Sequence, residues 1–150
     1  MTATTGGWGR LAAKETRMVQ AARTFVEIVR YSRTDVMELY LGILAMVWGA
    51  ALLNPLASAF ASTPSYSAMA RLAPEWVWGV GAALVGLGIL VALLFDGIRW
   101  RRVGAFAGLC YWLFVASTFA IGNLAGVGWI VYGVIAAGHA HAFLRLGAPR

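Results

Sequence analysis

The sequence predicts an all-α integral membrane protein, in which a cytoplasmic amphipathic helix precedes a bundle of four membrane-spanning helices. Of the 150 residues, 61% are hydrophobic and only 12% are charged, whereas about a quarter of the residues in a soluble domain are charged. Apolar runs long enough for a helix to cross about 30 Å of hydrocarbon recur along the chain. The basic residues gather on alternate connections between these runs, which is the pattern that orients membrane spans.

The first segment, residues 1–37, is expected to be a cytoplasmic or interfacial amphipathic helix. Apolar residues such as Met18 and Phe25 share one helical face, and charged residues interrupt them too often for a signal peptide. We expect its basic side to contact anionic headgroups; a solvated helix, free or packed on a soluble partner, is the alternative. The basic residues predicted to face lipid headgroups, here and in the central loop, are Arg10, Lys14, Arg17, Arg23, Arg30, Arg99, Arg101 and Arg102.

The transmembrane domain is predicted at residues 38–146, with spans at about 39–60, 74–95, 103–121 and 126–143 and a tail at 147–150. Asn54 and Pro55 lie in the last third of the first span, where proline bends a helix. Alternatively, that span ends at Asn54 and a surface segment begins. The polar stretch after it is expected to be a loop with an interfacial turn near residues 66–72.

The orientation follows from the basic residues. Of the 12 lysine and arginine residues, all but Arg71 fall on the side of the N-terminus, the central loop and the C-terminus. This asymmetry predicts a multi-pass protein of the bacterial inner (cytoplasmic) membrane with both termini in the cytoplasm. It also favours the lipid bilayer and its anionic headgroups, and not nucleic acid, as the partner of the net charge of +6.

Small residues within the spans are expected to mediate helix packing, because they let helix backbones approach each other in lipid. Such contacts serve packing inside one chain or association with other chains, so a homo-oligomer or a membrane-protein partner is predicted. The residues in question are Gly79, Ala82, Ala83, Gly86, Gly104, Gly108, Gly122, Gly126, Gly133 and Ala137.

The candidate cofactor ligands are the two histidines, His139 and His141. Residues two apart on a helix point about 200° away from each other, so these rings cannot hold one metal ion together. One ring alone could be an axial ligand of haem or a pigment. The alternative is that both are interfacial side chains that reach water or bond a backbone carbonyl. We therefore predict neither a metal nor a cofactor.

Catalysis is not predicted, since no base, nucleophile or metal partner accompanies the carboxylates near the spans. Glu75 is expected to cap the first turn of the second span, where a carboxylate suits the helix dipole. Charged residues are confined to the ends of the predicted spans, which argues against coupled transport. The sequence thus predicts that the protein is not an enzyme.

Two runs, LYLGILAMVWGAALLNP (39–55) and STPSYSAMARLAPEWVWG (62–79), resemble small uncharacterised four-span proteins encoded by tailed phages and prophages. The resemblance extends over about Glu38 to Leu146 and implies a host-membrane location, without functional residues to transfer. Together these observations favour a non-catalytic, phage-related membrane component that associates with itself or serves as an accessory subunit. A holin-like pore former and a cofactor-binding redox subunit are the alternatives.

Overall fold

The computed structural model describes residues 33–95 and 97–147, with side chains from Asp35 onward. The chain divides into two units, Met1–Val36 and Met37–Arg150, and the packing described below lies within the second unit. The predicted amphipathic helix, with its basic residues Arg10, Lys14, Arg17, Arg23 and Arg30, lies outside the described residues.

The described part of the chain is all-helical, as predicted. Its long helices are α1 (Arg33–Leu52), α4 (Glu75–Leu94), α5 (Ile98–Gly122) and α6 (Gly128–Gly147), and its short ones are α2 (Ala59–Ser62), a 3-10 helix (Pro64–Tyr66) and α3 (Ser67–Leu72). Within residues 33–95 and 97–147, four segments are long and apolar enough to cross a membrane: Asp35–Leu52, Glu75–Leu94, Ile98–Gly122 and Gly128–Gly147.

The first helix ends at Leu52 and not near residue 60. Asn54 stops it, because its side-chain Oδ1 accepts a hydrogen bond from the Leu56 backbone N–H at 3.0 Å and closes a turn. Pro55 then follows in the connection. The third helix differs in the other direction: α5 begins at Ile98, so the basic residues expected in the preceding loop form its first turns.

Glycines bring α1 and α4 into backbone contact. A Cβ atom added at Gly49 would lie 2.7 Å from the carbonyl oxygen of Gly79, and one added at Gly86 would lie 2.7 Å from that of Gly42. The two glycines of each helix are seven residues apart, so they repeat on one helical face after two turns. The pairing of early with late residues makes α1 and α4 antiparallel.

Aromatic side chains fill the centre of the bundle. Trp48 of α1 contacts Trp112 of α5 edge to face, with ring centroids 5.2 Å apart. Tyr132 of α6 stacks on Trp112 at 5.6 Å and accepts a hydrogen bond from Trp48 Nε1 at 3.0 Å. Since edge-to-face and stacked pairs are the favoured aromatic geometries, these rings hold three helices together around the buried Trp112.

The connection from α1 to α4 folds over one end of the bundle. Ala68 and Met69 of α3 are buried there, and a Cβ added at Gly122 at the end of α5 would lie 3.3 Å from Ala68 Cβ. Glu75 of α4 holds the start of α2 in this connection. Its carboxylate accepts hydrogen bonds from Ser58 Oγ at 2.6 Å and from the Ala59 N–H at 2.8 Å. Glu75 therefore binds the start of α2 as well as lying in the first turn of α4.

Large apolar side chains cover the outside of the long helices. Leu84, Leu113 and Val134 are 64%, 50% and 66% exposed. Exposed apolar surface spread over every long helix is unusual in a soluble monomer and typical of a membrane protein.

Candidate functional site

A buried ion pair joins α1 and α5 at the basic end of the bundle. Arg101 Nε donates to Glu38 Oε2 at 2.8 Å, and Arg101 Nη2 donates to Glu38 Oε1 at 2.9 Å. The two side chains are only 7% and 3% exposed. The pairing explains how α5 can begin before Arg101, since a guanidinium that is neutralised inside the bundle need not reach water.

Arg101 was predicted to face lipid headgroups, and that prediction was wrong because the side chain is buried against Glu38. Arg99 and Arg102, predicted in the same group, are exposed on the outside of α5. The Arg102 guanidinium lies over the Phe143 ring of α6, with 4.7 Å from its Cζ to the ring centroid. Basic side chains of one sequence run thus have two different environments.

His139 lies in the core, facing α5. It is 1% exposed, and a Cβ atom added at Gly108 would overlap its ring. The ring can therefore occupy this position only because residue 108 is glycine. His139 therefore does not reach water, which was one of the expectations for the two histidines, whereas His141 is exposed.

Two buried polar atoms have no hydrogen-bond partner within the described residues: His139 Nε2 and Trp112 Nε1. Trp112 follows Gly108 by one helical turn, so the two groups occupy neighbouring levels of the same core. Buried polar atoms without partners are rare in folded proteins and often accompany a bound water, ion or ligand. His139 Nε2 is the atom that could ligate a cofactor.

Within residues 33–95 and 97–147, no group of three or more histidine, cysteine, aspartate or glutamate side chains is placed to hold a metal ion. The single cysteine, Cys110, is exposed on α5.

The predicted helix-packing residues separate into two groups. The first group lies against other parts of the bundle. On α4, Gly79 and Gly86 contact α1, Ala82 is buried, and Ala83 lies 3.2 Å from a Cβ added at Gly49. On α5, Gly104 contacts Ile89, Gly108 contacts His139 and Gly122 contacts the connection from α1 to α4. The other three differ: the atoms nearest to a Cβ added at Gly126 belong to Asn123 of its own loop, a Cβ at Gly133 would meet nothing within 4 Å, and Ala137 is exposed.

The packing glycines that were missed include Gly42, Gly49, Gly81, Gly128 and Gly138. The seven-residue spacing shared by Gly42–Gly49 and Gly79–Gly86 was a usable signal, because equal spacing on two helices lets both contacts form at once. The pairing of Glu38 with Arg101 was also missed, and their sequence separation gave no signal for it.

The described residues form a helical bundle in which four helices are long and apolar enough to cross a membrane, which suggests a multi-pass membrane protein. Comparison with protein families, with curated proteins and with solved structures finds no match.

Proposed function

We propose that the chain is a non-catalytic, phage-related protein of the bacterial cytoplasmic membrane that acts by helix association, first of all with a second copy of itself. Both termini are placed in the cytoplasm. Arg99, Arg102 and Arg145 support this orientation, since they are exposed near the α5 start and the α6 end, which belong to the same end of an antiparallel bundle. An accessory role beside another membrane protein is the form the proposal takes if the chain does not self-associate.

The observation that carries the proposal is the uncovered face of α6. Only 17% of the most apolar part of α6 is buried inside the bundle, against 33%, 39% and 33% for the other spans in chain order. Ile130, Val134 and Ala137 are exposed along this face, and a Cβ at the flanking Gly133 would meet nothing within 4 Å. Small residues on an uncovered apolar helix face allow another helix to approach closely in lipid.

The test is the oligomeric state of the full chain in mild detergent, measured by light scattering during size-exclusion chromatography. Gly133→Leu is expected to shift the population to monomer, because the larger side chain separates the helices. Gly88→Leu on α4 is the matched control, since a Cβ at Gly88 also meets nothing within 4 Å. A wild-type chain that is monomeric at every concentration would contradict self-association, and so would an equal effect of both substitutions.

Cross-linking in isolated membranes tests the same face without detergent. In a Cys110→Ser background, Ala137→Cys is expected to form a disulfide-linked dimer on mild oxidation, whereas Leu84→Cys, also exposed, is not. Equal cross-linking at both positions would indicate random collision.

A cofactor-binding role is the second candidate, because His139 Nε2 is buried without a partner among the described residues. A chain that serves this role would be coloured after purification from its native membrane. Loss of the visible absorption in His139→Phe, but not in the exposed His141→Phe, would support this role over the first. A colourless wild-type chain would remove it.

A further inference from the structure

An apolar groove opens on the outside of the bundle between α5 and α6, at its basic end. Its volume is about 440 Å³, and its lining consists of Val103, Phe106 and Phe143 together with two arginines, Arg99 and Arg102. The lining therefore combines a surface that suits an acyl chain with two fixed positive charges.

The two arginines are placed for a single ligand. They are three residues apart on α5 and so share a helical face. The Arg102 guanidinium lies over the Phe143 ring, and a guanidinium carries N–H donors that match a phosphate group. A Cβ at Gly147 would lie 2.8 Å from Arg102 Nη2, so the end of α6 bounds the same guanidinium.

Neither arginine forms an ion pair with a carboxylate in the part of the chain that the structure describes, in contrast to Arg101 with Glu38. Exposed arginines at the end of a membrane span attract anionic lipid headgroups. A phosphate group can accept paired hydrogen bonds from a guanidinium, which are among the strongest hydrogen bonds in proteins.

A second groove on the bundle is also apolar, so an apolar lining by itself does not distinguish the groove between α5 and α6. It lies between α4 and α5, has a volume of about 560 Å³ and is lined by residues such as Leu84, Gly88 and Phe95, with no charged side chain among its lining. Ordinary lipid chains can fill it without any headgroup preference.

We propose that the groove between α5 and α6 is a binding site for an anionic phospholipid, whose phosphate binds Arg99 and Arg102 and whose acyl chain lies along Val103, Phe106 and Phe143. The site rests on the membrane location proposed above and adds a selective lipid to it. The ligand is recognised by its phosphate and its chain together.

The experiment is native mass spectrometry of the full chain in detergent, titrated with dioleoyl phosphatidylglycerol or with zwitterionic dioleoyl phosphatidylcholine. The wild-type chain is expected to retain phosphatidylglycerol in preference. Arg102→Gln and Arg99→Gln are each expected to weaken its binding about fivefold, the effect of one basic residue near an anionic lipid surface. Arg145→Gln removes the same charge from an exposed position outside the groove lining and is expected to leave binding unchanged.

Three results would overturn the site. Equal retention of the two lipids would show no headgroup preference, and an equal loss in Arg145→Gln would show attraction by net charge alone. Displacement of phosphatidylglycerol by the same concentration of glycerol phosphate would show that phosphate is bound without the chain. Gly88→Leu, which fills the other groove, is expected to leave phosphatidylglycerol binding unchanged.

Failure of the membrane location gives a different result. A chain that stays soluble and monodisperse without detergent would contradict that location. A chain that requires detergent but binds both lipids equally would contradict only the lipid site.

Discussion

Arg101 of α5 binds Glu38 of α1 through two parallel hydrogen bonds of 2.8 and 2.9 Å, in a pair that is buried on both sides. The planar guanidinium matches the carboxylate in this geometry, which a lysine could not reproduce. The pair joins two helices that are separated in sequence by the whole of α4. It therefore fixes the relative rotation of α1 and α5 at the basic end.

Arg101→Met is expected to destabilise the bundle by about 3–5 kcal/mol, because it leaves the Glu38 carboxylate buried without these two bonds. Glu38→Leu combined with Arg101→Met should recover most of that loss, since two apolar side chains then face each other. The free energy of unfolding in mixed micelles, titrated with dodecyl sulfate, measures both. Arg145→Met is the exposed control, and its free energy of unfolding should change by no more than about 0.5 kcal/mol. A loss as large as that of Arg101→Met would contradict the role of the ion pair.

Gly108→Ala is expected to destabilise the bundle by about 1–3 kcal/mol, because the added methyl group overlaps the His139 ring. His139→Ala removes the overlap, so the double variant should be more stable than the sum of the single changes predicts. Gly88→Ala, in open space, should be neutral or stabilising by up to about 1 kcal/mol, as for glycine to alanine within a helix. Additive effects of Gly108→Ala and His139→Ala would show that the two residues do not touch.

Gly49→Ala is expected to separate α1 from α4 at the cost of about 1–3 kcal/mol, because the new Cβ would lie 2.7 Å from a backbone oxygen that cannot rotate away. Gly133→Ala is the comparison, as its Cβ meets nothing within 4 Å and its helix faces outward. The same micelle unfolding assay separates them. If both variants lose equal stability, the close contact between α1 and α4 at Gly49 is not the cause of the loss.

Trp48 and Tyr132 are expected to show a coupling energy of about 1 kcal/mol in a double-mutant cycle to phenylalanine, the net value of one partly buried hydrogen bond. The control cycle combines Trp48→Phe with Ser117→Ala. Ser117 Oγ donates to Leu113 O within its own helix, so no coupling to Trp48 is expected. A coupling near zero for Trp48 with Tyr132 would mean that the bond between α1 and α6 contributes nothing.

Thr63→Cys and Arg145→Cys, each in a Cys110→Ser background, are expected to react with a membrane-impermeant maleimide from opposite faces of the cytoplasmic membrane. Both positions are exposed, and they lie at opposite ends of the described bundle, in the connection from α1 to α4 and in the last turn of α6. Labelling of both from one face would contradict the proposed topology.

The fold class was predictable because it depends on properties of single segments. The length and apolar character of a run decide whether it can form a membrane-length helix, and these can be read without knowing what the helix touches. The end of α1 was less secure, since Asn54 and Pro55 permitted either a kink or a stop. The Asn54 turn to Leu56 decided for the stop.

The candidate sites depended on which helix faces meet, and one segment cannot show that. Gly42, Gly49 and Gly133 are alike in sequence, yet the first two form a contact between helices and the third faces open space. Gly79 and Gly86 of α4 lie against α1, whereas a Cβ at Gly133 meets nothing within 4 Å and Ala137 is exposed.

The sequence by itself determined that the part of the chain described by the structure contains four long apolar helices, and that the positive charges gather near one end of them. Only the tertiary structure decided which arginine is buried in an ion pair and which ones are exposed. A helix turns about 100° per residue, so Arg99 and Arg102 share an outward face while Arg101 turns inward. Arg101 can bind Glu38 because α1 lies against α5. That contact exists only once the bundle has assembled.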